Sequence, residues 1–206
     1  MQPLRRPFGT AGRASDVVWP QWTGPSTEHT RERRPPELWE RRPEAETAAG
    51  ERVLADLDTS TNRTDALLIV ARYLVVRIAR HADQPAVEFN ESAERTAARE
   101  YIDAIPGGVA EARWLRGVLD ACANRVSRTL VSRLSAAAAV AGRHGHDNGA
   151  FALRYTAWQA AVRNEWHADA GRIARAIAAA AERGGGPRSK RLWTRRARVH
   201  ERRAAA

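Results

Sequence analysis

The stretch "VSRLSAAAAVAGRHGHDNGAFALRYTAWQAA", residues 131–161, sets two alanine-rich segments around the polar run GRHGHDNG. That run is either the corner between two packed helices or a loop of metal ligands. Gly142 and Gly145 stand where a helix ends, and Asp147 or Asn148 is a good N-cap for the next one. Small alanine side chains let two helix axes approach to the short end of the usual ~8–10 Å range. The metal reading needs His144, His146 and Asp147, with His167 or Asp169 nearby. A closed site takes three or four ligands with supporting groups behind them, and no HExxH pair occurs in the chain. Polar residues in a turn need no such cause. The corner is the stronger reading, so no metal ligand and no cofactor is expected.

Helical spacing continues on both sides of this corner. Residues 44–58 place Ala48, Val53, Leu54 and Leu57 together, with Gly50 as a flaw. Residues 60–82 open with capping candidates Thr61, Asn62 and Thr64. There Leu67, Val70, Ala71, Leu74 and Ile78 form a stripe that Leu68, Val75 and Val76 widen, so this helix belongs at the centre of a core. Arg72, Arg77 and Arg80 interrupt the apolar run and favour helix over strand. Residues 83–92 read as a loop, and Ser92 as the cap of a helix over 93–105 that "PGG" ends. Val109 to Arg143 is too long for one helix of a small domain at ~1.5 Å per residue, which predicts a break near 124–127. A last pattern covers 167–183, and "GGGP" stops it. The fold class is therefore all-α, built from antiparallel helical hairpins.

Composition divides the chain into three. Residues 1–44 hold seven of the ten prolines, with eight arginines against six carboxylates and no sustained period, as in a disordered leader. Trp19, Trp22 and Trp39 within it are incidental, or form a short docking motif. Residues 45–183 form the helical domain. Residues 184–206 form a basic tail: from 183 onward there are nine basic residues and one acidic, so +8 of the net charge of +10 sits there. Of the 34 basic residues only Lys190 is lysine. Such a bias follows from GC-rich coding as readily as from binding, so arginine abundance alone is weak evidence for nucleic acid. Cys122 is the single cysteine, which excludes an internal disulfide; its helical setting suits an inert buried thiol. The longest apolar run, 66–79, contains two arginines and is too short to span a bilayer. No apolar signal segment follows the basic N-terminus, so a cytoplasmic location without membrane association is expected.

Residues 131–164 resemble a tetratricopeptide repeat, a helical hairpin of about 34 residues. Leu134 meets the large apolar position of the first helix, Ala137 and Ala138 the pair that follows, Gly145 the turn, and Ala150 with Ala157 the alanines of the second helix. The aromatics of the family pattern are absent at Ala141 and Arg154, with Tyr155 one residue off, and no proline ends the unit. Residues 165–183 begin a second unit only loosely. The resemblance implies a non-enzymatic scaffold that receives a protein or peptide partner, or a second copy of itself, along Tyr155, Trp158 and Trp166.

The other expectation is sequence-tolerant nucleic-acid binding by the tail. Arg188, Lys190, Arg191, Arg195, Arg196 and Arg198 would neutralise phosphates, and Trp193 would stack on an unpaired base. No phosphate-cradling loop, no GxSxG nucleophile elbow and no base-reading motif occurs, so no catalytic residue is expected.

Overall fold

A computed structural model of the chain describes residues 37–38, 41, 43, 47–60, 62–85, 89–123, 126–184 and 186–206. Trp19, Trp22 and Trp39 lie outside these residues. Every regular element among them is helical. The order is α1 (Ala48–Ala55), a 3-10 turn (Asp56–Thr59), α2 (Arg63–Asp83), α3 (Glu91–Ala104), α4 (Ala110–Ala121), α5 (Arg128–Arg143), α6 (Asp147–Arg163), α7 (His167–Arg183) and α8 (Pro187–Ala205). The described end of the leader lies on the domain: Leu38 packs against the core, Pro43 is buried, and the Arg41 carbonyl oxygen lies 3.5 Å from the Tyr101 hydroxyl.

Local chemistry sets the starts. Asn62 accepts from the Asp65 N–H at 3.0 Å and so caps α2. Ser127 accepts from the Leu130 N–H at 3.2 Å, which restarts the chain as α5 and explains the break between α4 and α5. Two expected caps are displaced. Asn90 rather than Ser92 caps α3, accepting from the Ala93 N–H at 3.1 Å, because a helix can begin as soon as an acceptor meets its free amides. His146, not Asp147 or Asn148, precedes α6, and the Asn148 amide donates to Asp56 at 2.7 Å instead.

Helix α2 is central, as its wide apolar surface requires, and packs against α1, α3, α4 and α6. From α4 onward each helix packs on the next, and the most extensive interface joins α7 to α8. Helices α6, α7 and α8 begin at 147, 167 and 187, twenty residues apart. Their corners repeat the same closure. The N–H of His146, Trp166 and Gly186 donates to the C=O of Ala141, Ala161 and Ala181, at 3.1, 2.9 and 2.8 Å. This is the six-to-one bond of a Schellman motif, which satisfies a carbonyl at a helix end. It needs a left-handed residue just before the donor. Gly145 supplies it at φ +80°, and Glu165 supplies it at φ 57° with a side chain. The run GRHGHDNG is thus a helix corner.

The core holds a fully buried ion pair. Arg72, in the middle of α2, and Glu111, in the first turn of α4, are both at 0% exposure. The Arg72 Nε donates to one Glu111 carboxylate oxygen, and Nη2 lies 3.5 Å from the other. Helix α6 fits over the pair because residue 149 is glycine: a Cβ there would stand 3.0 Å from the Arg72 Cδ and 3.1 Å from its Nη1. A second pair, Arg77 with Glu94 at 2.7 Å, joins α2 to α3.

Three stability outcomes follow. Arg72→Met strands the Glu111 charge and costs about 3–5 kcal/mol, whereas Arg72→Met with Glu111→Leu recovers most of that loss. Gly145→Ala costs about 1–2 kcal/mol from backbone strain alone, since no atom lies within 4 Å of the added Cβ. Glu165→Gly relieves the same strain and stabilises by about 0.5–1 kcal/mol. Urea unfolding of each variant measures all three.

Candidate functional site

The tail read as a separate basic segment is a helix of the fold. Pro187 at the first helical position and Gly186 before it open α8, which runs 19 residues, or about 28 Å. Its buried side chains are Trp193, Ala197 and His200, spaced four and three apart on one face. Helix α7 meets them with small residues, Ala170, Gly171, Ala174 and Ala178, all buried. A Cβ at Gly171 would stand 3.2 Å from the Glu201 Cγ, so the glycine sets the approach of the two helices.

The two sets of residues expected to bind different partners meet here. Trp193 is 3% exposed, which removes it as a free stacking surface for a base. It presents its ring edge-on to Trp158 at 5.2 Å, to Tyr155 at 6.1 Å and to Phe151 at 6.3 Å between ring centres. The Arg196 guanidinium lies 4.9 Å from the Trp158 ring centre and 4.5 Å from that of Trp193. Tyr155 and Trp158 are therefore half-buried and used to hold α8 on α6, so they do not line an open groove. Trp166 is half-buried too; it closes the second corner, with the Arg128 guanidinium 5.7 Å above its ring. An apolar residue on the inner face of a helix is more stable covered than open, which is why these aromatics find one another.

The outer face of α8 is different. Arg188, Arg191, Arg195, Arg198 and Arg202 recur at intervals of three and four, and all are exposed. They lie within one narrow sector, opposite Trp193 and Ala197, along about 21 Å of helix. Three nearby basic residues are engaged elsewhere. Lys190 pairs with Glu182, Arg175 pairs with Glu201, and Arg196 covers the tryptophans. The five stripe arginines make no ion pair with any described residue. Two large apolar side chains are exposed among the described residues, Leu192 on α8 and Phe151 on α6, the latter against Trp193.

His167 and His200 complete the α7–α8 contact, with their Nδ1 atoms 3.4 Å apart. Burial, and then the charges of His167, Arg203 and Arg196, hold His200 below the usual imidazole range. His146 is also held low, by burial first and then by Arg72, against the opposing pull of Glu111, Asp65 and Asp56. His144 is exposed at its corner, and His146 faces Asp65 at 3.9 Å. Among the described residues no group of three or more His, Cys, Asp or Glu side chains could hold a metal ion. Burial pushes the Cys122 thiol up to about 12, so it carries no thiolate at neutral pH. No described helix is long and apolar enough to cross a membrane.

The stripe was only half visible beforehand. Sequence counted the charge of the tail but not its division into an outer arginine row and an inner aromatic row. The three- and four-residue spacing of the arginines was the available signal. Phe151 and Leu192 had none, because nothing local distinguishes an exposed apolar side chain from a buried one. No protein-family model, no curated protein and no solved structure matches the chain.

The histidines give the fold a pH dependence. Both folded values lie below the ordinary 6.5, so the unfolded chain takes up protons first. Stability from these groups is complete above about pH 6.5 and is lost as the pH falls from there toward the folded values. The melting temperature is expected to decline as the pH is lowered below about 6.5, and His200→Asn to flatten that decline. A series of thermal melts at stepped pH reads both.

Proposed function

We propose that this protein is a non-enzymatic helical binding protein that engages the phosphate backbone of duplex nucleic acid through the outer face of α8. The observation that carries this reading is the row of five exposed arginines without ion-pair partners among the described residues, held straight by the packing of Trp193, Ala197 and His200 behind it. Arginine forks match phosphate oxygens well, and a rigid row loses little conformational freedom on binding. With Trp193 covered, α8 offers no ring on which an unpaired base could stack, which favours duplex over single strand. Arginines paired with phosphate oxygens position a protein on the duplex without reading its bases, so binding through this row is sequence-tolerant.

A second reading keeps the scaffold of the tetratricopeptide-like resemblance and assigns it a protein partner. The exposed Leu192 of α8, at 49%, supports it by offering an apolar anchor next in sequence to Arg191. The partner would then be an acidic amphipathic helix.

Titration of the full chain with fluorescent duplex and single-stranded oligonucleotides separates the two readings. About five phosphate contacts make affinity for duplex fall roughly 500-fold between about 50 and 200 mM salt. Replacing Arg191, Arg195 and Arg198 by Ala reduces the log–log salt slope by about 2.7. Leu192→Ala leaves nucleic-acid binding unchanged under the first reading. Absence of duplex binding at low salt sinks the first reading and leaves the second.

A further inference from the structure

We propose that the cleft between α1 and α2, closed at one side by Phe89, is a binding site for a small organic monocarboxylate with an apolar body.

The cleft has a volume of about 200 Å³. At ~30 Å³ per water that is room for roughly seven waters, or one compact ring with a short substituent. Its apolar wall is formed by Val53 of α1, Tyr73 and Val76 of α2, Ala152 of α6 and Phe89. Its polar wall is cationic: Arg77, Arg80 and His81 all come from α2, and none of the described residues that line it carries a carboxylate. The spacing of three and four residues places these side chains on one side of the helix.

The charges of that wall do not cancel. Arg77 is answered by Glu94 at 2.7 Å. His81 stacks on Phe89 with ring centres 4.2 Å apart and faces Glu91 at 3.8 Å. Arg80 has no such answer. Its Nε is buried and has no hydrogen-bond partner, and no ion pair is formed by its guanidinium among the described residues. Burial also lowers its pKa, against the weaker opposing pull of Tyr155 and Tyr73. Asp83, one turn further along α2, is already bound to Arg163 at 2.5 Å. A cation without a counter-charge among the described residues, beside an apolar wall, calls for one negative charge on an apolar body. A carboxylate would give Arg80 a charge-assisted partner while its ring or chain displaced water from Val53, Val76 and Phe89. A dianionic phosphate would be over-charged for a single free guanidinium and would leave the apolar wall uncovered.

The site is distant in kind from the α8 surface, and its test does not depend on nucleic acid. The full chain, labelled with nitrogen-15, is titrated with benzoate, with its neutral analogue benzamide, and with inorganic phosphate, and the amide signals of Val53, Val76 and Ala152 are followed. Benzoate is expected to shift these three signals saturably. Arg80→Gln is expected to weaken that binding about tenfold or more, since it removes the charged partner. Arg80→Lys, which keeps the charge, should retain part of it, and the amide spectrum of each variant shows whether it is folded. Benzamide moving the same signals with equal affinity, and indifference to Arg80→Gln, would show a merely apolar cleft and overturn the carboxylate assignment. Phosphate competing as well as benzoate would overturn the requirement for an apolar body. Shifts confined to α8, or no shift at these amides up to about 20 mM benzoate, would remove the site altogether.

Discussion

The contact between Arg72 and Glu111 is the constraint on which the arrangement of the helices depends. Both side chains are at 0% exposure, and an ionised group removed from water is tolerated only when it is paired and hydrogen-bonded. The pair therefore dictates where α4 crosses α2. Gly149 then lets α6 lie close, because a Cβ there would crowd the Arg72 Cδ and Nη1 at 3.0 and 3.1 Å. Three helices from distant parts of the chain are thereby placed by one charge pair and one glycine. An apolar pair would allow neighbouring registers at little cost, whereas a displaced ion pair leaves two charges in the core.

Once α6 is placed, the rest of the chain follows by repetition. Each corner ends on the same six-to-one hydrogen bond to an alanine carbonyl, at twenty-residue intervals. The short corners bring each helix back against the one before it, and small residues on α7 bring α8 close. Helix α8 has a neighbour behind it and none on its other side among the described residues. Its outer row is therefore free to be charged. The fold thus divides one helix into two faces: Trp193 and His200 hold it in place, and the arginines opposite stay exposed.

The hairpin resemblance and the observed spacing share the same local chemistry but differ in length. Two successive helices with their corners take 40 residues here, from 147 to 187, where the repeat that 131–164 resembles takes about 34. The match at Leu134, Ala137, Ala138, Gly145, Ala150 and Ala157 comes from what any close helical hairpin needs: small residues at the crossing and a left-handed residue at the turn. All but Gly145 are at 0% exposure. Such positions report an antiparallel helical corner, and they carry little about the number of units or their partner.

What the sequence by itself determined is local. The all-α class, the central place of α2, the break before Ser127, the corner at Gly145 and the stop at 184–187 rest on apolar spacing, capping oxygens and left-handed turns within a few residues of each other. Only the tertiary structure decided which polar side chains are inside and which aromatic ones are spoken for. Arg72 looks like any helical arginine until Glu111, 39 residues on, is set beside it. Trp193 looks free until α6 brings Phe151, Tyr155 and Trp158 around it. Arg80 stands out among the described residues of its cleft, as a cation without an ion pair, only when Glu94 and Glu91 are seen to be taken up by its neighbours. The physical reason is that backbone geometry is set by near neighbours, while burial and pairing of charge are set by contacts between helices, and no single stretch of chain contains both partners of such a contact.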